Sequence, residues 1–261
     1  MSSITIGVIG NYFGHLSSAE NVHESEVPSG IFVIDHNKSS LTHGDNTFYP
    51  AQGSKVDIEP EFVIQYTIQY ENNQVAKVIP HRITIGNDVT IRSLEGATKI
   101  STRKSWGDNS KGIHPTWWSL NELESLDTLS LVSYIERDGQ KHMATEPLKI
   151  DQMKLFGDAL STWMVEAING QQEHGMFDQI LPVLAKHGYP EELILYTGAP
   201  NYTDWGQANF LQPGDVMHII GYKTDNFNDE QIDLLFKENK LKGLDNVLYL
   251  TQKMVEPELV Y

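Results

Sequence analysis

The 261-residue chain contains no cysteine. A disulfide framework, Cys-type zinc sites, iron–sulfur ligation and thiol catalysis are therefore excluded. Positive charge is scarce: 19 Lys and Arg stand against 35 Asp and Glu, a formal net charge of −16. Nucleic acid and anionic membranes reward the opposite sign and are poor partners for such a chain. No apolar run approaches the roughly 18 residues of a membrane span. The opening segment MSSITIGVIGNYFGHL lacks a basic region and a small-residue cleavage site. It reads as a first strand and not as a signal peptide, so a cytoplasmic location is the default expectation. The phosphate loop G-x-x-x-x-G-K-[ST], the dinucleotide fingerprint G-x-G-x-x-G, the zincin motif H-E-x-x-H and the nucleophile elbow G-x-S-x-G are all missing.

What is present is an ordinary globular composition, 39% hydrophobic and 10% aromatic. A chain this long buries a full core without staples. Runs of Val, Ile, Tyr and Thr predict strands over 4–9, 30–35, 57–70, 75–87, 128–136, 193–197, the end of 211–222, and 246–251. Glu71-Asn72-Asn73 and Arg137-Asp138-Gly139 read as turns. Segments 11–30, 36–55 and 101–119 read as loops. An apolar stripe through Met153, Phe156, Leu160, Trp163, Ala167 and Ile168 predicts a helix over 151–169. Further helices are expected over 177–187, capped by Gly188, and over 229–240. The class is α+β, with strands in the majority and helices late in the chain.

Four constellations could carry chemistry. Glu59-Pro60-Glu61 places two carboxylates at i and i+2, on one face of a strand. Two such anions repel unless a cation or proton lies between them. Asp88, at the end of a neighbouring strand, would complete an all-oxygen site suited to Mg²⁺, Mn²⁺ or Ca²⁺. The bland reading is a solvated strand face in an acidic protein, although Pro60 argues for a strand end. His15, just beyond the first strand in Asn11-Tyr12-Phe13-Gly14-His15, is placed for acid–base work; a surface histidine is the plain alternative. The cationic loop Arg103, Lys104 and Lys111, interleaved with Trp106, could hold a carboxylate or an oxyanion, or be a solvated basic patch. In Thr197-Gly198-Ala199-Pro200, the glycine turn lets backbone N–H groups approach a ligand.

The order of these pieces is more specific than any one of them. Strand–N-Y-x-x-H, E-x-E, N-D-V-T-x-R, W…K…P, T-G-x-P and L-x-P-G-D-V, running from Val8 to Gly221, resemble the fumarylacetoacetate hydrolase superfamily. The resemblance implies a mixed β-roll with peripheral helices, forming a single domain over 1–261. Within it, 1–55 supplies N-terminal strands and a possible lid, 56–222 the metal-binding core, and 223–261 a C-terminal helix and strand. It implies a homodimer, a small-molecule carboxylate substrate and one divalent cation, Mg²⁺ or Mn²⁺, held by Glu59, Glu61 and Asp88. It gives catalytic roles to His15, Lys111 and Arg92, with Lys104 as the fallback for the family lysine, and substrate-binding roles to Thr197 and Tyr12. Three positions depart from the family pattern. Ser18 stands where many members carry the glutamate of a His/Glu dyad, with Glu20 and Glu24 nearby. Ala199 replaces the second threonine of T-G-T-P. Glu95 replaces a common glutamine.

The implied activity is that of a metal-dependent C–C hydrolase, or a decarboxylase or isomerase, acting on a β-dicarbonyl or 2-oxo acid through a metal-stabilised enolate. The metal ligands do not distinguish these reactions. The alternative is a catalytically silent metal- or small-acid-binding protein that keeps the fold and has lost the dyad. A third reading, an unrelated β-rich domain, requires that Glu59, Glu61 and Asp88 do not converge.

Overall fold

A computed structural model of the chain describes residues 3–14, 25–123 and 125–256. The chain opens with β1 (Ser3–Ile9) and β2 (Gly30–Val33), followed by the short strands β3 (Leu41–Thr42), β4 (Thr47–Phe48) and β5 (Val56–Asp57). The long pair β6 (Pro60–Glu71) and β7 (Gln74–Asp88) comes next, then β8 (Thr90–Ile91), β9 (Lys111–Ile113) and β10 (Trp118–Ser119). The remaining strands are β11 (Leu129–Arg137), β12 (Gln140–Lys149), β13 (Glu192–Tyr196), β14 (Val216–Lys223) and β15 (Val247–Val255). The helices are α1 (Ile100–Lys104), α2 (Gly157–Gly170), α3 (Leu181–Lys186), α4 (Asp204–Ala208) and α5 (Asp229–Lys237).

Two mixed sheets carry the fold. The larger runs β2-β1-β13-β6-β7-β9-β3, with β10 also on β7; the smaller runs β12-β11-β14-β15-β4. The β6–β7 hairpin is the longest element, and its turn is the one the sequence predicts. Asn72 and Asn73 both take positive φ, 51° and 63°, which matches the right-handed twist of the flanking strands. Far from the turn, residues 60–64 and 83–88 are buried at every position. This end of the hairpin is covered on both faces, and the core spans both sheets, with Phe62, Ile83 and Ile85 meeting Leu131, Met217 and Ile219. A buried amide chain runs behind it. Asn87 accepts from the Glu59 N–H at 3.1 Å and donates to Gln252 Oε1 at 2.9 Å. Gln252 in turn donates to Thr47 Oγ1 at 3.1 Å and to the Asn109 carbonyl at 2.9 Å.

Several boundaries differ from expectation. The segment 101–119 is not a plain loop: it carries most of α1, then β9 and β10. Segment 36–55 contributes β3 and β4. Strand β12 has no counterpart in the sequence reading; its burial does not alternate, and it lies at a sheet edge. Helix α2 starts at Gly157 and not at 151, because Ile150–Gln152 forms a 3₁₀ turn and Gly157 has φ 58°. Helix α3 is shorter than expected but stops before Gly188 (φ 73°) as predicted.

Candidate metal centre

The register of the large sheet assembles the site. Strand β6 starts at Pro60, where the missing N–H costs no ladder bond. Glu59 and Glu61 flank it and share a face. Asp88 ends β7, and its N–H donates to the Glu59 carbonyl at 2.8 Å. Strand β9 pairs Lys111 with Asp88, and Gly86 pairs with Glu61. Only glycine fits at 86, because a Cβ would lie 2.7 Å from the Gly112 carbonyl oxygen, Tyr196 and Val63. Glu59, Glu61 and Asp88 converge, each offering an oxygen within 4.8 Å of the others, and all three are buried. The reading as an unrelated β domain, which required them to stay apart, is thereby overturned.

Cationic and backbone donors surround the triad. Arg92 bridges two carboxylates, with its Nε 2.7 Å from Asp57 Oδ2 and its terminal nitrogen 2.7 Å from Glu59 Oε1. Lys104 Nζ binds Glu59 Oε2 and lies 2.7 Å from Asp88 Oδ2. Lys111 Nζ lies 2.7 Å from Asp88 Oδ1 and donates to the Val89 carbonyl at 2.7 Å. The Gly198 N–H donates to Glu61 Oε2 at 2.7 Å, so the glycine turn approaches a carboxylate as its sequence suggested. Asn11 fixes that turn, donating to the Thr197 carbonyl at 3.0 Å.

Burial raises the Glu61 carboxyl well above its ordinary range; the charges of Asp88 and Glu59 add to this, while Lys104 and the Gly198 N–H oppose it. Burial also lowers Lys111, with Asp88 partly restoring it. Lys104 goes the other way: Asp88, Glu59 and Glu61 together overcome its desolvation and raise it. Among the described residues neither buried oxygen of Asp88 accepts a well-aligned hydrogen bond, and both face ammonium groups. A buried, all-oxygen, anionic donor set of this kind fits a hard divalent cation.

A cavity of about 70 Å³ opens on Glu59 and Glu61. One wall is apolar, from Val8, Ile9, Phe32 and Ile100; the other is polar and cationic, from Arg92, Arg103 and Lys104. Gly198 and Ala199 line it as well. The other expected residues distribute differently. Lys111 is wholly buried behind Asp88 and does not line the cavity. The Thr197 hydroxyl donates to the Phe62 carbonyl at 3.0 Å and is turned from the cavity. Tyr12 is buried, its hydroxyl without a hydrogen-bond partner among the described residues, and it lines a neighbouring cleft with Phe13 and Asn201. Glu95 is exposed and lies off the cavity. His15, Ser18, Glu20 and Glu24 lie outside the described residues. The sequence reading missed Asp57. It was legible in D-x-E-x-E over 57–61, where strand alternation puts all three carboxylates on one side.

Solved structures with this architecture match nearly the whole chain. The 5-carboxymethyl-2-hydroxymuconate delta-isomerase from Mycobacterium smegmatis has a TM-score of 0.58 at 17% identity, covering 98% of this chain and 79% of its own. Maleylpyruvate hydrolase from Sphingobium sp. SYK-6 has a TM-score of 0.56 at 15% identity, covering 97% and 71%. The 2-keto-3-deoxy-D-arabinonate dehydratase complexed with magnesium and 2,5-dioxopentanoate has a TM-score of 0.56 at 15% identity, covering 97% and 72%. Comparison with curated proteins gives no match. The structural neighbours are fumarylacetoacetate hydrolase superfamily members, and the expected α+β fold of that type is the fold observed. The family model described as "Family of unknown function (DUF5718)" matches residues 20–254. With so much of its length matched, the chain belongs to that family, and it carries it on a fumarylacetoacetate hydrolase fold.

Proposed function

We propose that the protein is a divalent-metal-dependent enzyme acting on a small β-dicarbonyl or 2-oxo acid. The observation that carries this reading is the convergence of Glu59, Glu61 and Asp88 within 4.8 Å, with Glu59 and Glu61 lining a cavity. A divalent cation held there supplies Lewis acidity to a substrate carbonyl and charge to offset a developing enolate. The neighbour bound to magnesium and 2,5-dioxopentanoate supports this choice of ligand class; Mg²⁺ or Mn²⁺ is the proposed ion.

The chain's own residues divide the remaining work. Arg92 holds the Glu59 carboxylate in place through its terminal nitrogen while anchored on Asp57. Lys111 fixes Asp88 from behind, which makes it a positioning residue. Arg103 and the exposed edge of Arg92 present positive charge to a substrate carboxylate or oxyanion. The wall of Val8, Ile9, Phe32 and Ile100 receives the apolar part of the substrate and excludes water. His15 is assigned the proton: it activates water for attack on a carbonyl carbon, with the C–C electron pair leaving to the enolate, or it moves a proton to and from carbon. The first route is hydrolysis and the second isomerisation; loss of CO₂ from the same enolate-forming substrate is decarboxylation. C–C hydrolase and decarboxylase are the classes to screen first. We further propose a homodimer, and a cytoplasmic location in keeping with the absence of a long apolar helix among the described residues.

One observation favours a second reading, a catalytically silent metal- or small-acid-binding protein. The cavity wall at 199 is a methyl group, and the neighbouring Thr197 hydroxyl is committed to Phe62. Calorimetric titration of metal-free protein with Mg²⁺ and Mn²⁺, repeated with oxalate, separates the readings. Oxalate imitates the enolate of a 2-oxo acid and should bind only with metal present. Turnover of oxaloacetate or an acylpyruvate then marks an enzyme. Oxalate binding without any turnover in such a screen marks the silent protein, and no metal binding refutes the enzyme reading and the metal-binding form of the silent one.

A further inference from the structure

Four of the six triad oxygens lie against a protein cation: Arg92 and Lys104 hold Glu59, and Lys104 and Lys111 hold Asp88. Arg92 and Lys111 each touch one triad carboxylate and are each anchored elsewhere, on Asp57 and on the Val89 carbonyl. Lys104 is different. Its ammonium alone bridges two of the three ligands, and it lines the cavity from which an ion would enter. A magnesium ion sits about 2.0–2.1 Å from each oxygen it binds. An ion on Glu59 Oε2 and Asp88 Oδ2, the oxygens that Lys104 contacts, would therefore crowd an ammonium already within bonding distance of the same atoms.

Formal charge gives the same answer. With every group counted as ionised, Asp57, Glu59, Glu61 and Asp88 outnumber Arg92, Lys104 and Lys111 by one negative charge. A divalent ion in place of Lys104 closes the balance, whereas a divalent ion added beside Lys104 overshoots it. Uncompensated charge in a buried cluster is expensive, so exchange is favoured over addition. The lysine also has somewhere to go. It ends the five-residue helix α1, its ammonium is 5.2 Å from the Phe32 ring centroid, and Phe32 forms the cavity wall. An aromatic face stabilises a cation that leaves the carboxylates.

We propose that Lys104 is a built-in competitor for the metal position: its ammonium bridges Glu59 and Asp88 when no ion is bound and swings toward Phe32 when a divalent cation enters. This rests on the metal reading above and adds a chain-specific control on affinity to it. The occupant is a hard divalent cation, and the competing group is part of the polypeptide.

The test is calorimetric titration of metal-stripped full-length protein with Mn²⁺, comparing wild type, Lys104→Met and Lys104→Arg. Lys104→Met should bind Mn²⁺ at least tenfold more tightly than wild type, and Lys104→Arg no more tightly. If the stripped Lys104→Met protein does not stay folded, the rise in thermal midpoint with added Mn²⁺ replaces the titration and should exceed that of wild type. A second readout is amine acylation of the wild type mapped by mass spectrometry. Mn²⁺ should raise labelling at Lys104 several-fold and leave Lys111 unlabelled. Equal or weaker Mn²⁺ binding by Lys104→Met, or unchanged labelling at Lys104, overturns the competition and leaves the metal site intact. Mn²⁺ binding by none of the three proteins overturns the metal reading itself, and the competition with it.

Discussion

Asp88 is the residue on which the site's stability is most exposed. It is wholly buried between two ammonium groups, at 2.7 Å from Lys111 and 2.7 Å from Lys104. Asp88→Asn keeps the shape of the side chain and removes its charge. Lys111, also wholly buried, then keeps its hydrogen bond to the Val89 carbonyl but has lost its carboxylate. Removing one partner of a buried ion pair costs about 3–5 kcal/mol, because the survivor remains desolvated. Lys111→Met should cost less, about 2 kcal/mol, since Asp88 retains Lys104. The double variant buries neither charge of that pair, so its cost should fall short of the sum by about 2 kcal/mol. Urea unfolding of metal-stripped wild type, both single variants and the double variant measures all three quantities without a contribution from bound ion. The thermal midpoint of Asp88→Asn should drop by about 10 °C, from roughly 2–4 °C per kcal/mol in a chain of this size. Additive single variants, or an Asp88→Asn protein within about 1 kcal/mol of wild type, would refute the account of Lys111 as a charge held in place by Asp88.

Other expectations concern packing, bridging and pH. Gly86→Ala should destabilise by about 1–3 kcal/mol and weaken metal binding, since the added Cβ meets the Gly112 carbonyl and that strand carries Lys111; an unchanged melting temperature would count against the packing argument. Arg92→Lys should cost about 1–3 kcal/mol by urea unfolding, because an ammonium does not reproduce the fork that spans Asp57 and Glu59. His218 is buried against Phe236 and Tyr249 and is pushed down to about 4, by burial first and Lys141 second, with Glu136 at 3.6 Å opposing. The folded chain keeps it neutral while the unfolded chain protonates near 6.5, so it contributes stability above that pH that is lost as pH falls toward 4. The loss is at most about 3 kcal/mol, and His218→Gln should flatten the stability profile between those limits; an unaltered profile would assign the acid sensitivity elsewhere.

The parts of the fold that were readable in the sequence are those where one local rule acts alone. The hairpin was marked by two asparagines that tolerate positive φ, and β1, β13 and β14 by short runs rich in aliphatic residues. Strand β12 escaped notice because QKHMATEPLK has no apolar alternation; its ladder with β11 and not its own pattern makes it a strand. Helix α1 was hidden for a similar reason, being one turn long with no side-chain cap. The triad was legible as E-x-E plus an aspartate at the end of the next strand. The division of labour among the lysines was not. Lys104 and Lys111 are seven residues apart, and only α1 and the β7–β9 register decide that one enters the cavity while the other closes the rear. Asp57 was readable by alternation, in D-x-E-x-E over 57–61, but its role as the anchor of Arg92 depends on a contact with a residue 35 positions away.

The amide chain from Asn87 through Gln252 to Thr47 and Asn109 stitches the large sheet to the small one beside Asp88. Every link is a paired donor and acceptor between buried or half-buried groups, so sliding one sheet past the other breaks several bonds at once. The alignment of the two layers and the spacing of the carboxylates are thus a single mechanical variable. A substitution far out on β15 that shifts Gln252 would reach the centre as a change in ligand geometry, through the Asn87 side chain and the Glu59 backbone it holds. The second sheet acts as the gauge block against which the first one sets its bite.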